Sequence, residues 1–364
     1  MTDGTAPPAQ SVASATKQAP SLVRRLLGTQ QAGLTIVVLL LGVALALTAG
    51  THIDPRSGAV VNNFLNLNTL FQIATDTSFF AIMAVGATVV IISGGIDLSV
   101  GSIYALAGVA TAMVLRALAL ESAVDIVLVA LAVSLGIGLL CGIINGVMVV
   151  GLGVHPFIIT LGTMWIIRGI AFVVSHAESI LVPTALTSVA KATFGMGGSV
   201  YPVPLLVMLA VTAIGGVYLT KTVMGRHVFA VGGNPEASRF SGLNLNRIKI
   251  GVFAISGVTA GLAALVGAAF YGSASCADAT GYELYVIASA VVGGASLSGG
   301  KGSAVSALLG ALLIVLIRQS IRTMRFDQNY EWIIIGCATI VAVVLDQASA
   351  RAAQRRLAAA AARR

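Results

Sequence analysis

The side chains able to do chemistry in this sequence are few and scattered. The stretch Gly299-Gly300-Lys301-Gly302 suggests a phosphate-binding loop, in which backbone N–H groups and a lysine cradle phosphates. That loop needs Gly where Ala295 stands and Ser or Thr where Gly302 stands, so the match fails at two positions. No His-Glu-x-x-His or Gly-x-Ser-x-Gly pattern occurs, and His52, His155, His176 and His227 stand singly. Cys141, Cys276 and Cys337 are odd in number and lack Cys-x-x-Cys spacing, which points to neither a metal site nor a disulfide framework. Cys141 and Cys337 sit in apolar runs and are expected to pack as small hydrophobes. What remains is a handful of ionisable residues in apolar surroundings. Asp97 lies between two apolar runs, and Asp76, Arg168 and Arg318 lie near or within others. Such a group is expensive at membrane depth and is often functional. Two readings of Asp97 stay open: it faces a cavity, or it caps the next helix. Arg168 and Arg318 are expected to carry their charges along long stems to an interface.

The surroundings of these residues set the class. Of 364 residues, 57% are hydrophobic and only 9% charged, and the mean hydropathy is +0.97. An ordinary soluble domain carries about 25% charged residues, so this chain cannot cover a water-facing surface of its own size. The runs Gly33 to Gly50 and Ile126 to Val154 hold no charge, and each is long enough for a helix to cross a hydrocarbon core, which takes about 20 residues. The expected fold is therefore all-α, a polytopic membrane protein of about ten transmembrane helices. The spans are placed at 33–50, 71–92, 99–118, 126–150, 157–175, 203–220, 248–271, 284–296, 303–321 and 331–346, with a disordered segment over 1–32 and a basic tail over 347–364. The transmembrane domain is thus 33–346, with its longest basic loop at 221–249.

Orientation follows from the basic residues of short loops. With both termini in the cytoplasm, 14 of the 21 Lys and Arg residues fall on that side, among them Lys17, Arg24, Arg25, Arg226, Arg239 and the tail arginines. Arg322 and Arg325 sit awkwardly on the other side. The formal charge of +8 is accounted for by this bias and by the tail, which suits anionic lipid, so nucleic acid is not an expected partner.

Two segments resemble each other. Gly94-Gly95-Ile96-Asp97-Leu98-Ser99-Val100-Gly101 and Gly293-Gly294-Ala295-Ser296-Leu297-Ser298-Gly299-Gly300 both read Gly-Gly-x-[Asp/Ser]-Leu-Ser-x-Gly. Paired glycine-interrupted apolar segments point to broken helices in a transporter, because non-helical backbone at membrane depth survives only where protein or a watery cavity satisfies it. Gly94, Gly95, Gly101, Gly293 and Gly294 are the expected broken-helix positions. Six spans separate the copies, which makes the repeat parallel; one miscounted span would invert it. Two ordinary interhelical loops are the plainer alternative.

In the loop 221–249, Asn234 suits an N-cap, Pro235 the first helical position, Glu236 the helix dipole and Gly242 the C-terminus. A helix of about two turns is expected there. This loop, with Ala237, Ser238 and Arg239, resembles the cytoplasmic coupling segment of ribose-type ABC transporter permeases, the membrane subunits of bacterial monosaccharide importers. Gly94 to Ser102, Pro156 to Gly169 and Gly281 to Gly302 resemble the same family, in the same order, so similarity spans roughly residues 60–346. The resemblance implies a pore subunit without cofactor or catalysis of its own. It implies a separate ATPase bound at Asn234–Gly242, a second permease subunit, a periplasmic sugar-binding protein and a place in the inner membrane. The stretch Ser273 to Thr280 departs from the family's usual Asn- or Pro-containing segment, which bears on the ligand. Asp97, Ser99, Asn145, Thr160, Thr163, Trp165 and Gln319 are the expected substrate pathway; the same polar residues also serve as interhelical hydrogen bonds in membranes. A polyol, a furanose signal or a branched-chain amino acid are alternative cargoes, and a stand-alone ion-coupled carrier or an intramembrane enzyme are alternatives of another class.

Overall fold

A computed structural model describes residues 30–344 apart from 54–57, 196–199, 325, 328, 335, 338, 339, 342 and 343. The expected N-terminal segment, the basic tail and Arg56 and Arg325 therefore lie outside the described residues, apart from positions 30–32 at the start of the first helix. The helices are α1 (Gln30–Thr48), α2 (Leu67–Ile92), α3 (Val100–Leu118), α4 (Ala123–Leu152), α5 (Pro156–Ser175), α6 (Thr184–Ala190), α7 (Val203–Lys221), α8 (Val223–Gly233), α9 (Pro235–Phe240), α10 (Leu245–Tyr271), α11 (Tyr282–Val292) and α12 (Ala304–Thr323). Two short antiparallel ribbons, β1 (Thr51–Ile53) with β2 (Val60–Asn62) and β3 (Ile180–Leu181) with β4 (Ser273–Ala274), close the end of the bundle away from α9. The chain is a polytopic all-α membrane protein.

Local chemistry places the helix ends. Asn66, Ser122, Asn244 and Ser303 each accept a backbone N–H from the first turn of α2, α4, α10 and α12, satisfying a donor that the helix leaves unpaired. Between those ends the residues are apolar enough for eight described helices, α1 to α5, α7, α10 and α12, to span a membrane. Among the described residues the count of ten is not confirmed. The expected span at 284–296 forms only α11, an 11-residue helix. The expected span at 331–346 falls partly outside the described residues.

Burial runs inward to α2. In its most apolar window 94% of residues are buried, against 17% in α1, so α2 is the axis of the subunit and α1 lies at its edge. Phe80, Ile82 and Met83 of α2 are fully enclosed, with α7, α10, α11 and α12 packed around them. The closest helix pair is α4 with α10, where a side chain added at Gly138, Gly142 or Gly146 would collide with the backbone of α10. Small residues at such a seam let two membrane helices gain dispersion contacts along their backbones. The outer faces of α4, α5 and α7 expose Leu139, Leu140, Ile143, Ile166, Leu209 and Ile214, a surface suited to hydrocarbon. Cys141 is buried as expected, whereas Cys337 is exposed on the chain by itself.

The arginines expected to reach an interface turn inward instead. The Arg318 guanidinium lies 2.7 Å from a Glu331 carboxylate oxygen and over the Phe80 and Tyr285 rings. Arg168 donates to the carbonyls of Cys276 at 2.7 Å and Asp278 at 2.6 Å. Each finds a partner inside the bundle, which removes the reason to snorkel.

Candidate functional site

The two glycine motifs do more than resemble each other in letters. After α2, the Gly94 N–H donates to Ile91 O and the Gly95 N–H to Val90 O. After α11, the Gly294 N–H donates to Val291 O and the Ala295 N–H to Ala290 O. Both are the paired capping bonds of a Schellman motif, with Gly94 (φ 82°) and Gly294 (φ 99°) in the left-handed conformation that the motif requires. The structural register is one residue off the letter match: Gly94 corresponds to Gly294, not Gly293. The copies lie side by side at one end of the bundle, where the Gly300 N–H donates to Ile92 O at 2.8 Å. The helices that lead into them, α2 and α11, therefore run the same way, and the repeat is parallel.

Beyond the first cap, the chain enters the bundle without helical structure from Gly95 to Leu98. Its hydrogen bonds come from the surrounding helices. Ile96 O accepts from the Thr160 hydroxyl of α5 at 3.2 Å. Asp97 Oδ1 accepts from the Ser99 N–H at 2.9 Å and the Ser99 hydroxyl at 2.6 Å, and Oδ2 accepts from the Ser256 hydroxyl of α10 at 2.8 Å. Asn145 of α4 donates to the Ser99 hydroxyl at 2.7 Å. Ser256 lies 11 residues into α10, about 16 Å along its axis at 1.5 Å per residue, so the network sits at membrane depth. Asp97 is buried rather than open to a cavity, and α3 carries no side-chain cap; the carboxylate instead organises the segment ahead of α3 and, with Ser99, ties α4 and α10 to it. It accepts at Ser99, just ahead of α3, rather than deeper in the first turn.

The first turns of α3 and α11 meet at the same depth. A side chain added at Gly101 would run into Ala279 O and the Glu283 carboxylate, so the glycine is what lets the two helix starts touch. The chain approaches α11 from β4 through Ser275 to Gly281 without helix, and the Arg168 guanidinium holds Cys276, Asp278 and Ala279 by their carbonyls. Arg168 is a functional candidate that sequence reasoning left at the interface. Its signal was a single arginine in the middle of α5. Glu283 in the first turn of α11 suits the positive end of that helix.

The structure brings Asp97, Ser99, Asn145 and Thr160 together, with Thr163 one turn along α5 donating to Thr160 O. All five are buried, so within one chain they form an internal scaffold rather than an open lining. Trp165 is apart from them, 68% exposed on the outer side of α5. Gln319 is half-buried on α12 and donates to the Thr323 hydroxyl. Ser256 was missed, since one serine in an apolar helix carries no local signal.

At the end where the two caps lie, the loop after α7 holds two helices rather than one. α8 was not expected; the Thr222 hydroxyl that accepts the Gly225 N–H was its signal. α9 has the expected form. Asn234 Oδ1 accepts the Ala237 N–H at 2.9 Å, Pro235 takes the first helical position, the Ser238 hydroxyl donates back to Asn234 O and Gly242 (φ 81°) comes just after the helix. Ser238 is buried, while Glu236, Ala237, Arg239 and Phe240 face outward. Phe240 is 85% exposed, an apolar ring at a position sequence reasoning did not single out. At the end of α8, Gly232 packs on Ile92 O and the Gly300 N–H so closely that no side chain fits.

The sequence is similar to those of known transport proteins. The family model described as branched-chain amino acid transport system / permease component matches residues 69–343. A ribose import permease of Escherichia coli K12 is 37% identical over 286 residues, covering 78% of this chain and 87% of that protein. A D-allose transport system permease of the same strain is 37% identical over 286 residues, covering 78% of this chain and 85% of that protein. A fructose import permease of Rhizobium meliloti is 32% identical over 291 residues, covering 78% of this chain and 79% of that protein. No solved structure matches significantly. The family match over most of the chain, with these identities across most of each relative, makes this protein a member of the permease-component family that the model describes.

Proposed function

We propose that this chain is the membrane-pore subunit of an ATP-driven sugar importer of the bacterial inner membrane. The observation that carries the reading is the 32–37% identity to permeases named for ribose, allose and fructose import, across most of their lengths. In this reading the chain binds no cofactor and hydrolyses nothing. A second permease subunit completes the pore, a periplasmic binding protein delivers a monosaccharide, and a separate ATPase docks on α9. Both termini then face the cytoplasm, with the two Schellman caps and α9 on that side.

The shape of α9 supports the docking role. Its capped, one-and-a-half-turn helix presents an acid, a base and an exposed ring together, Glu236, Arg239 and Phe240. Charged rims steer a partner and a buried aromatic anchors it. The family description names branched-chain amino acids, which makes that cargo the second reading; the scarcity of charged side chains in the spans speaks for an uncharged one.

The test is reconstitution in liposomes with the ATPase and binding protein. Expected is uptake of D-ribose, D-allose or D-fructose that requires ATP. Uptake driven by an ion gradient without the ATPase sinks the reading, and uptake of L-leucine in place of the sugars transfers it to the second cargo. Glu236→Lys or Arg239→Glu should weaken capture of the ATPase at least about tenfold, or ~1.4 kcal/mol, with membrane insertion unchanged.

A further inference from the structure

A cavity of about 360 Å³ opens at the end of the bundle away from α9, between α2, α10, α12 and the segment leading into α7. Its size is within the roughly 300–1,000 Å³ of small-molecule sites. Six residues give it its character: Gln72, Asp76, Tyr201, Phe270, Tyr271 and Arg322. We propose that this cavity is a carbohydrate-binding site of the permease itself, an outward-side station for the sugar before it enters the subunit interface. The inference rests on the sugar-import reading above.

The first support is the ion pair. The Arg322 guanidinium lies 3.4 Å from the Asp76 carboxylate, with side-chain exposures of 39% and 23%. Asp76 is nine residues into α2, about 14 Å from its start at 1.5 Å per residue. Charges at that depth face a bundle interior or a water-filled cavity, since hydrocarbon would desolvate them at a cost of several kcal/mol. A half-exposed pair here therefore marks a watery recess.

The second support is the set of rings. Phe270 and Tyr271 stand 5.3 Å apart at 87°, Tyr201 and Phe270 5.8 Å apart at 74°, and Phe79 backs Tyr271 at 5.6 Å. Each ring is held by another, and the Lys191 ammonium lies 5.4 Å from the Phe270 centroid. Fixed rings offer a face to the C–H side of a pyranose or furanose at little further entropic cost. The carboxylate, guanidinium, amide and phenol groups beside them match neighbouring hydroxyls with charge-assisted and neutral hydrogen bonds. Asp76 and Arg322 already neutralise each other, so an uncharged polyhydroxyl ligand adds bonds without separating them. The contrast with the apolar cleft of about 370 Å³ between α2, α4, α7 and α10 is sharp: among its lining residues only Thr259 and Tyr218 carry side-chain polar atoms.

The experiment uses the full chain in lipid nanodiscs without ATPase or binding protein. Saturation-transfer NMR is recorded with D-ribose, D-allose and D-fructose, and with L-leucine for comparison. Expected is a saturable signal for at least one of the sugars and none for leucine. Tyr271→Ala and Gln72→Ala, both at exposed positions, should each weaken that binding about tenfold, or ~1.4 kcal/mol, while the far-UV spectrum and elution volume stay unchanged. Asp76→Asn should act in the same direction. Three results overturn the site. No saturable sugar signal, with ATP-driven sugar uptake intact, removes the site and leaves the importer reading standing. Saturable binding that neither substitution weakens places the sugar elsewhere. Binding of leucine in place of the sugars, with leucine uptake, removes both.

Discussion

α2 and α11 end on the same pair of capping hydrogen bonds, and the chain then leaves the two caps differently. After Gly94 it climbs back into the bundle to Asp97 and Ser99, where Asp97 Oδ1 accepts twice from Ser99 and the remaining bonds reach α4, α5 and α10. After Gly294 it stays at the end of the bundle, where the Ser296 N–H donates to Lys301 O and the Gly299 N–H to Ser296 O, and Lys301 and Ser298 are exposed. The shared letters thus encode one thing, a helix stop. Beyond that stop the residues differ. Asp97, three residues past Gly94, accepts three hydrogen bonds among the helices; three residues past Gly294 stands Leu297, and Ser296, which matches Asp97 in letters only, belongs to a turn.

The largest test of that contrast is Asp97→Ala. It leaves the Ser99 and Ser256 hydroxyls without their acceptor in a fully buried place, which costs on the order of 3 kcal/mol. Thermal unfolding in detergent should move down sharply, and uptake in liposomes should fall below detection. Asp97→Asn, which keeps an acceptor, should recover part of both; an Asn variant as damaged as the Ala variant would mean that charge rather than hydrogen bonding holds the network.

A middle-sized effect separates the matched serines. Ser99→Ala removes a donor to Asp97 and the acceptor of Asn145, costing about 1–3 kcal/mol. Ser298→Ala, at the matching letter of the second copy, changes an exposed side chain and should stay within about 0.5 kcal/mol. Equal losses in the two variants would erase the distinction between scaffold and turn.

The smallest difference between the copies should come from their caps. Gly94→Ala and Gly294→Ala each force a Cβ into left-handed backbone, at about 1–2 kcal/mol. A closely similar loss for the pair would sharpen the claim of a common cap. A neutral Gly294→Ala beside a costly Gly94→Ala would break it.

The membrane class, most of the spans and the α9 helix were legible because each rests on local rules. Apolar length marks a span, and Asn-Pro-Glu marks a helix start. The glycine motif was legible as a repeat, though its register was not, since capping depends on where a helix ends rather than on which letters align. Ser256, Arg168 and the meeting of Gly101 with Glu283 were not legible in position. Their partners lie 159, 108 to 111 and 182 residues away in the chain, and only the packed bundle selects them. The segment 284–296 was read as a full span because it is mostly apolar. Backbone held by an arginine leaves no hydropathy signal. Trp165 was grouped with the polar residues of α5 although it sits five residues beyond Thr160, on the opposite flank of the helix.

The contact at Gly232 has a mechanical consequence. Side chains give way when pushed, because their torsions rotate. Here the backbone of α8 rests on the backbone of Ile92 and Gly300 with nothing between. α9 comes after α8 with a single residue, Asn234, between them. A push on α9 would therefore pass through α8 to Ile92 at the end of α2 and to the turn at Gly300. Substituting Gly232 with even alanine would pry that joint open, so the absence of a side chain there is what makes the joint stiff.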